Sequence, residues 1–408
     1  MFGFLVANGA RDGKQIINAM TTHQTQLRLP KIEFEWPIMD AIIGLEILRY
    51  KSLSGTTPPL IFFQLKRIFH MLESIGSARI EGNNTTIADY VESTKIRSGE
   101  RYLFGDEEDI IQIENGEEAM QYIEENIDRI NIDKFFLREL HTITVKNLSA
   151  DKEGAKNPGR FRTVNVTINK STHVPPDFTQ VELLVDELLA FVNEQCLPKF
   201  DLLKIAIAHH RFVWIHPFEN GNGRVVRLFT YAMLLKKGIF KRDERIINPT
   251  AVFCSNRNEY YHYLSQADSY TDEGLVAWSE YVLRGLKNEM EKIDILLDYS
   301  YLLSTILLPA LKDALEHSYI SHREYDILKI AFEKKEFQAS DIKPILSKNS
   351  SDTSRIINKL RHQGMIVPVR PSARKYSPAF SNGLLLRSIL SMLDANGFLP
   401  TNQQTRHE

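Results

Sequence analysis

The chain has 408 residues, 43% hydrophobic and 25% charged, with 50 Lys and Arg against 52 Asp and Glu. That length suits two or three domains, and the composition argues against global disorder. Two cysteines, Cys196 and Cys254, exclude a disulfide-stapled scaffold and a cysteine-rich zinc module. No apolar run approaches the roughly 20 residues that cross a bilayer, so no membrane partner is expected. The apolar N-terminus lacks the basic leader of a signal peptide, and a cytoplasmic location is expected.

In chain order, apolar residues recur at three-to-four spacing over 40–51, 59–75, 106–127, 133–148, 180–194, 201–215, 223–236, 257–267 and 273–297, which predicts a mainly α-helical body. Alternation is confined to Phe161-Arg162-Thr163-Val164-Asn165-Val166-Thr167-Ile168, between Pro158-Gly159 and Pro175-Pro176. It predicts a short β-hairpin or flap. Between Asp106 and Asn126 stand nine acids and no base, the pattern of a solvated helix face. From Leu346 to Tyr376 the bias reverses, with seven Lys or Arg and one acid. There, helices over 323–333, 339–346 and 350–363 precede two short strands around a basic turn, the outline of a winged helix-turn-helix. Arg355, Lys359, Arg361 and His362 fall on or near its third helix, and Arg370, Arg374 and Lys375 on its wing. Contact with DNA and a protein-interaction role both stay open for this module, because fold alone does not decide between them.

The run that carries chemistry is His216-Pro217-Phe218-Glu219-Asn220-Gly221-Asn222-Gly223-Arg224-Val225-Val226-Arg227. Pro217 stops one helix and Gly223 opens the next. Gly221, Asn222 and Gly223 tolerate unusual backbone angles, so their N–H groups and the following helix end can form an anion cradle. Arg224 and Arg227, three apart, project from one side of that helix and suit a polyphosphate. His216 can accept a proton near neutral pH. Neither a P-loop nor a dinucleotide fingerprint is present. A zinc site from His209, His210 and His216 is not expected without the His-Glu-x-x-His spacing.

This run resembles the signature of Fic-domain proteins. Leu140-His141, Pro158 to Arg162, the flap and Asn256-Arg257-Asn258-Glu259-Tyr260-Tyr261 extend the likeness over roughly residues 105 to 290. The resemblance implies a helical Fic core with a short β-hairpin flap, followed by a C-terminal winged helix-turn-helix domain. It divides the chain into an N-terminal helical region (1–104), the Fic core (105–295), a helical linker (296–319), the winged helix (320–380) and a terminal helix and tail (381–408). The activity implied is transfer of AMP from ATP to a Ser, Thr or Tyr hydroxyl of a protein, self-modification included. In that reading His216 is the base, Phe218 anchors the loop, and Glu219 to Gly223 with Arg224 and Arg227 bind ATP. Val166, Thr167 and Ile168 would align the target, and Tyr260 and Tyr261 would lie near the adenine.

One position departs from the family. Its magnesium-holding acid is Asn220 here, a neutral amide, so Mg²⁺ is expected to bind weakly and Asn220→Asp to raise metal-dependent transfer. Upstream, Ser77-Ala78-Arg79-Ile80-Glu81-Gly82 matches the family's inhibitory-helix motif. By resemblance Glu81 pairs with Arg227, and Ser77 and Gly82 complete the motif. Two alternatives stand beside an autoinhibited adenylyltransferase: a de-AMPylating enzyme, or a nucleotide-sensing DNA-binding regulator with lost catalysis. Homodimers, frequent in the family, are a further expectation.

Overall fold

The computed structural model describes residues 27–50, 55–96, 107–168, 171–239, 249–345, 350–380 and 382–399. Eleven helices precede residue 295 among them: α1 Pro37–Tyr50, α2 Pro59–Glu81, α3 Ile87–Ile96, α4 Glu107–Asn126, α5 Lys134–Thr144, α6 Val181–Asn193, α7 Asp201–Ile215, α8 Asn222–Lys236, α9 Pro249–Cys254, α10 Arg257–Ala267 and α11 Asp272–Asp294. A π-helical turn, Leu302–Leu307, leads into α12, Leu308–Glu316. Then follow α13 His322–Lys334, β1 Phe337–Gln338, α14 Ala339–Ile342, α15 Ser350–His362, β2 Ile366–Pro368, β3 Lys375–Pro378 and α16 Gly383–Ala395. No single described helix is long and apolar enough to cross a membrane.

Local chemistry sets many of these boundaries. Asp133, Asn256 and Thr271 cap α5, α10 and α11 by accepting N–H groups of the first turn. Ser321 and Glu324 form a reciprocal capping box on α13. Helix α2 begins at Pro59, whose missing N–H costs nothing there, and stops at Gly82 with φ 109°.

Apolar side chains gather into two cores. The first is built from α1 and from α4 to α11 around Leu140, Phe212, Phe218, Phe229 and Trp278. The second joins α2 to α12, α13, α15, the sheet and α16. Helix α2 is common to both: Ile61 to Ala78 lie in the second, and Ile80 reaches the first. Its start is tied to the sheet by Gln64, which donates to Pro378 O at 3.0 Å and accepts from Phe380 N at 2.6 Å. Among the described residues before 104, α1 thus packs in the first core and α2 mainly in the second.

All three described strands pair antiparallel in the order β1-β3-β2, with Phe337 opposite Tyr376 and Ile366 opposite Pro378. The run 161–168, read from the sequence as a hairpin or flap, forms no strand. Arg162 organises it instead. Its buried guanidinium donates to the carbonyls of His216 (2.8 Å), Val164 (3.0 Å), Ile215 (3.3 Å) and Pro176, and its N–H to Pro217 O at 2.9 Å. One side chain gathers carbonyls from three chain segments, so the backbone needs no partner strand there.

Candidate active site

Helix α7 ends where His216 turns left-handed, φ 52° and ψ 61°. The loop then doubles back on itself before α8. Phe218, fully buried, anchors it, stacked face to face on His141 with centroids 3.9 Å apart and packed on Phe161 at 5.3 Å. Asn222 closes the loop from inside. Its Oδ1 accepts Phe218 N–H at 2.9 Å and its Nδ2 donates to Phe218 O at 2.8 Å. The Asn222 side chain is therefore a clasp, and only its backbone is left for the cradle at the start of α8. Gly221 holds φ 73° before that helix.

His141 supports the loop from α5. Its Nδ1 accepts Gly159 N–H at 2.8 Å, so the proton sits on Nε2 and is donated to Asn220 O at 3.2 Å. Burial pushes this imidazole down to about 4, which keeps it neutral. His216 is half-buried, and burial pushes it down to about 4 as well. Its Nδ1 lies 3.3 Å from Val213 O, which places the proton there and leaves Nε2 bare. A neutral imidazole with a free lone pair can accept a proton at pH 7.

The two arginines are buried, Arg224 at 4% and Arg227 at 2% exposure. Both carry a carboxylate from outside the loop. Arg227 Nη2 pairs with Glu81 at 2.7 Å and with Ser77 O at 3.0 Å, while its Nε donates to Ser77 Oγ at 2.8 Å. Ser77 and Glu81 lie one turn apart at the end of α2, so a single helix face supplies all three acceptors. Burial would raise the Glu81 carboxyl, but the guanidiniums of Arg227, Arg224 and Arg257 together hold the group below its usual value. Gly223 makes room for this pair: a Cβ there would stand 2.1 Å from Glu81 Oε1. Gly82 follows in the left-handed region, and Asn83 pins the exit to α4 through Gln112 Oε1 (2.7 Å) and Asp109 O (2.9 Å).

Arg224 Nη2 donates to Glu153 Oε2 at 2.9 Å and Glu153 O at 2.7 Å. Its Nε and Nη1 are buried without a partner. Arg224 lines a cavity of about 20 Å³ together with Glu73, Ser74 and Gln112, whose Oε2, Oγ and Nε2 are likewise unpaired. Burial raises the Glu73 carboxyl to about 8, so it is neutral at pH 7.

The residues present do not fit a protein-held magnesium ion. No cluster of three or more His, Cys, Asp or Glu converges among the described residues. Asn220 spends both ends of its amide on backbone: Nδ2 donates to Lys152 O (2.7 Å) and Gly154 O (3.2 Å), and Oδ1 accepts Gly221 N–H (2.8 Å). Glu219 is half-buried beside it.

Other residues singled out from the sequence divide. Val166 and Ile168 are half-buried and Thr167 exposed along the flap. Tyr260, expected near an adenine, is instead 2% exposed in the core, its hydroxyl 3.0 Å from His209 Nε2. Tyr261 stands 42% exposed under Arg257. His209 also meets Thr230, so both of its ring nitrogens are paired; His210 meets Asp268 through Nε2, and its buried Nδ1 has no partner. Arg162 and Glu153 had no role in the sequence reading. The place of Arg162 in the family-like run from Pro158 to Arg162 was the one visible signal, and Glu153 gave none.

Residues 131–234 match the Fic/DOC family. Similar proteins include "Protein adenylyltransferase Fic" of Drosophila yakuba, 30% identical over 201 residues, 49% of this chain and 37% of that one. The protein of the same name from Nematostella vectensis is 35% identical over 115 residues, 27% and 24% of the two chains. "Protein adenylyltransferase fic-1" of Caenorhabditis elegans is 30% identical over 142 residues, 35% and 25%. The match thus spans well under half the length of these relatives. Among solved structures, a Fic family protein from Desulfovibrio desulfuricans G20 superposes with TM-score 0.51 at 20% identity, over 86% of this chain and 98% of that one. Fic-1 of C. elegans gives 0.51 at 18% identity, over 70% and 78%. These two share the fold.

Proposed function

We propose that the chain is a protein adenylyltransferase held at rest by Glu81. The observation that carries this is the bare Nε2 of His216 at the rim of a glycine-hinged loop whose two buried guanidiniums suit a triphosphate. ATP is the substrate, with a protein hydroxyl as acceptor. The hydroxyl oxygen bonds to the α-phosphorus while its proton passes to His216 Nε2. The bond from the α-phosphorus to the α,β-bridging oxygen breaks, and pyrophosphate leaves. A phosphodiester then joins target and AMP. Arg162 holds the carbonyls of Ile215 and His216, so the ring is fixed before substrate arrives.

With Glu81 on Arg227, one phosphate ligand is taken. Release of that carboxylate frees the guanidinium, and the ion pair is therefore read as autoinhibitory. Intact-mass measurement after incubation with ATP and Mg²⁺ tests this. Glu81→Gly gains AMP where the parent gains little, and His216→Ala in that background gains none. A folded Glu81→Gly protein no more active than the parent overturns the inhibition, and labelling that survives His216→Ala overturns the role of the base.

A second reading concerns the C-terminal module. The helix, strand and hairpin order around β1-β3-β2 leaves Arg355, Arg361, Arg370 and Arg374 exposed on α15 and the adjoining turn. This basic face supports duplex DNA as a partner. Retention on DNA that weakens steeply with salt is the expected result, and no binding at low salt refutes it.

A further inference from the structure

Position 220 and the turn at 149–154 form one device. The Asn220 amide donates to the carbonyls of Lys152 and Gly154, on either side of Glu153. A carboxylate at 220 has no hydrogen to donate, so this strap needs an amide. The turn closes on itself, with Lys152 and Gly154 N–H on Ser149 O at 3.1 and 2.8 Å. Gly154 is required, because a Cβ there would stand 2.2 Å from Leu148 O. Strapped in this way, the turn delivers two different acceptors to the same Nη2 of Arg224: the Glu153 carbonyl at 2.7 Å and its carboxylate at 2.9 Å.

The two acceptors do different work. The carbonyl belongs to a backbone fixed on both flanks, so it orients the guanidinium permanently. The carboxylate sits on a side chain 40% exposed, whereas Arg224 is 5% exposed beneath it. Anything arriving from solvent meets the carboxylate first. The remaining donors, Nε and Nη1, face inward and are unpaired. The fork is thus aimed from behind by backbone and covered in front by a removable negative charge.

We infer that Asn220 is a positioning residue, aiming Arg224 at the nucleotide's phosphates through the Glu153 carbonyl, and that the Glu153 side chain competes with those phosphates for the same guanidinium. In this chain the amide at 220 takes a task different from holding a metal, and the site carries two displaceable carboxylates, Glu81 on Arg227 and Glu153 on Arg224. The inference rests on the phosphate-binding reading of the loop given above.

The two residues should respond with opposite signs. Calorimetric titration of the full chain with ATP, in EDTA, uses Glu81→Gly as the parent so that Arg227 is free. Adding Glu153→Ala tightens ATP binding at least about threefold, because the competitor leaves while the carbonyl stays. Adding Asn220→Asp weakens it at least about threefold, because the strap is lost. Adenosine, which has no phosphate, binds all three proteins alike; a general loosening of the fold would shift adenosine too. Glu153→Gln serves should Glu153→Ala not fold, and tightens binding in the same direction. ATP binding unchanged or weakened by Glu153→Ala overturns the competition. ATP binding unchanged or tightened by Asn220→Asp, with or without Mg²⁺, overturns the positioning role. If the Glu81→Gly parent itself binds no ATP while remaining folded, the phosphate-binding reading fails and this inference falls with it.

Discussion

Glu73 allows a prediction with a worked size. It lies on α2, eight residues before Glu81 and so on the same helix face, 5% exposed. Its Oε1 accepts Thr250 N–H at 2.8 Å, and Oε2 has no partner. Burial raises the group from 4.5 to about 8. Between those values the unfolded chain has lost this proton and the folded chain keeps it. Stability must therefore fall as pH rises, by about 1.4 kcal/mol per unit. From pH 5 to pH 8 the loss sums to about 3 to 4 kcal/mol, a large share of the 5–15 kcal/mol typical of a folded domain. Glu73→Gln keeps the acceptor for Thr250 and cannot ionise. The assay is urea unfolding of both proteins at pH 5 and pH 8. The variant's stability relative to the parent should rise by about 3 kcal/mol between those conditions. Other titrating groups are common to both proteins and cancel. A difference that does not change with pH refutes the reasoning.

Three further outcomes are expected. His216, pushed down to about 4 by burial, is already neutral well below pH 6, so AMP transfer by the Glu81→Gly protein stays level from pH 8 to pH 6; an acidic inflection near 6.5 would show an unshifted imidazole. Asn222→Ala strips two bonds from the buried Phe218 backbone and should cost about 1–3 kcal/mol in urea unfolding, against no change if the clasp is idle. Arg162→Ala frees four carbonyls around His216 and should slow transfer at least tenfold while leaving ATP affinity within twofold; equal losses in both would mean a collapsed loop.

Much of the helical body could be read from the chain, because three-to-four spacing of apolar residues and proline or glycine stops are local signals. The loop could be read for the same reason, since His216 through Arg227 occupy one short run. What escaped was settled between distant segments. The Phe161–Ile168 alternation looks like a strand, yet Arg162 claims the surrounding carbonyls and no partner strand forms. Tyr260 looked available for a ligand, but a hydrogen bond to His209, 51 positions away, accompanies its burial. Asn220 read as a defective metal ligand. Only the fold brings residues 152 and 154 to its amide and shows a donor in use. Glu153 had no mark at all, being one acid among 52.

Helix α2 limits how Glu81 can leave. Its apolar residues from Ile61 to Ala78 are embedded in the second core and its first turns are fastened to Pro378 and Phe380. Hinging the whole rod outward would tear that core open, a penalty far above the strength of one ion pair. The cheaper movement is unwinding of the last turn alone, from Ser77 to the left-handed Gly82, where the buried apolar side chains are Ala78 and Ile80 rather than the whole row from Ile61. On the proposed inhibitory reading, whatever displaces Glu81 must therefore act like a hand loosening the end of a rope whose other end stays moored.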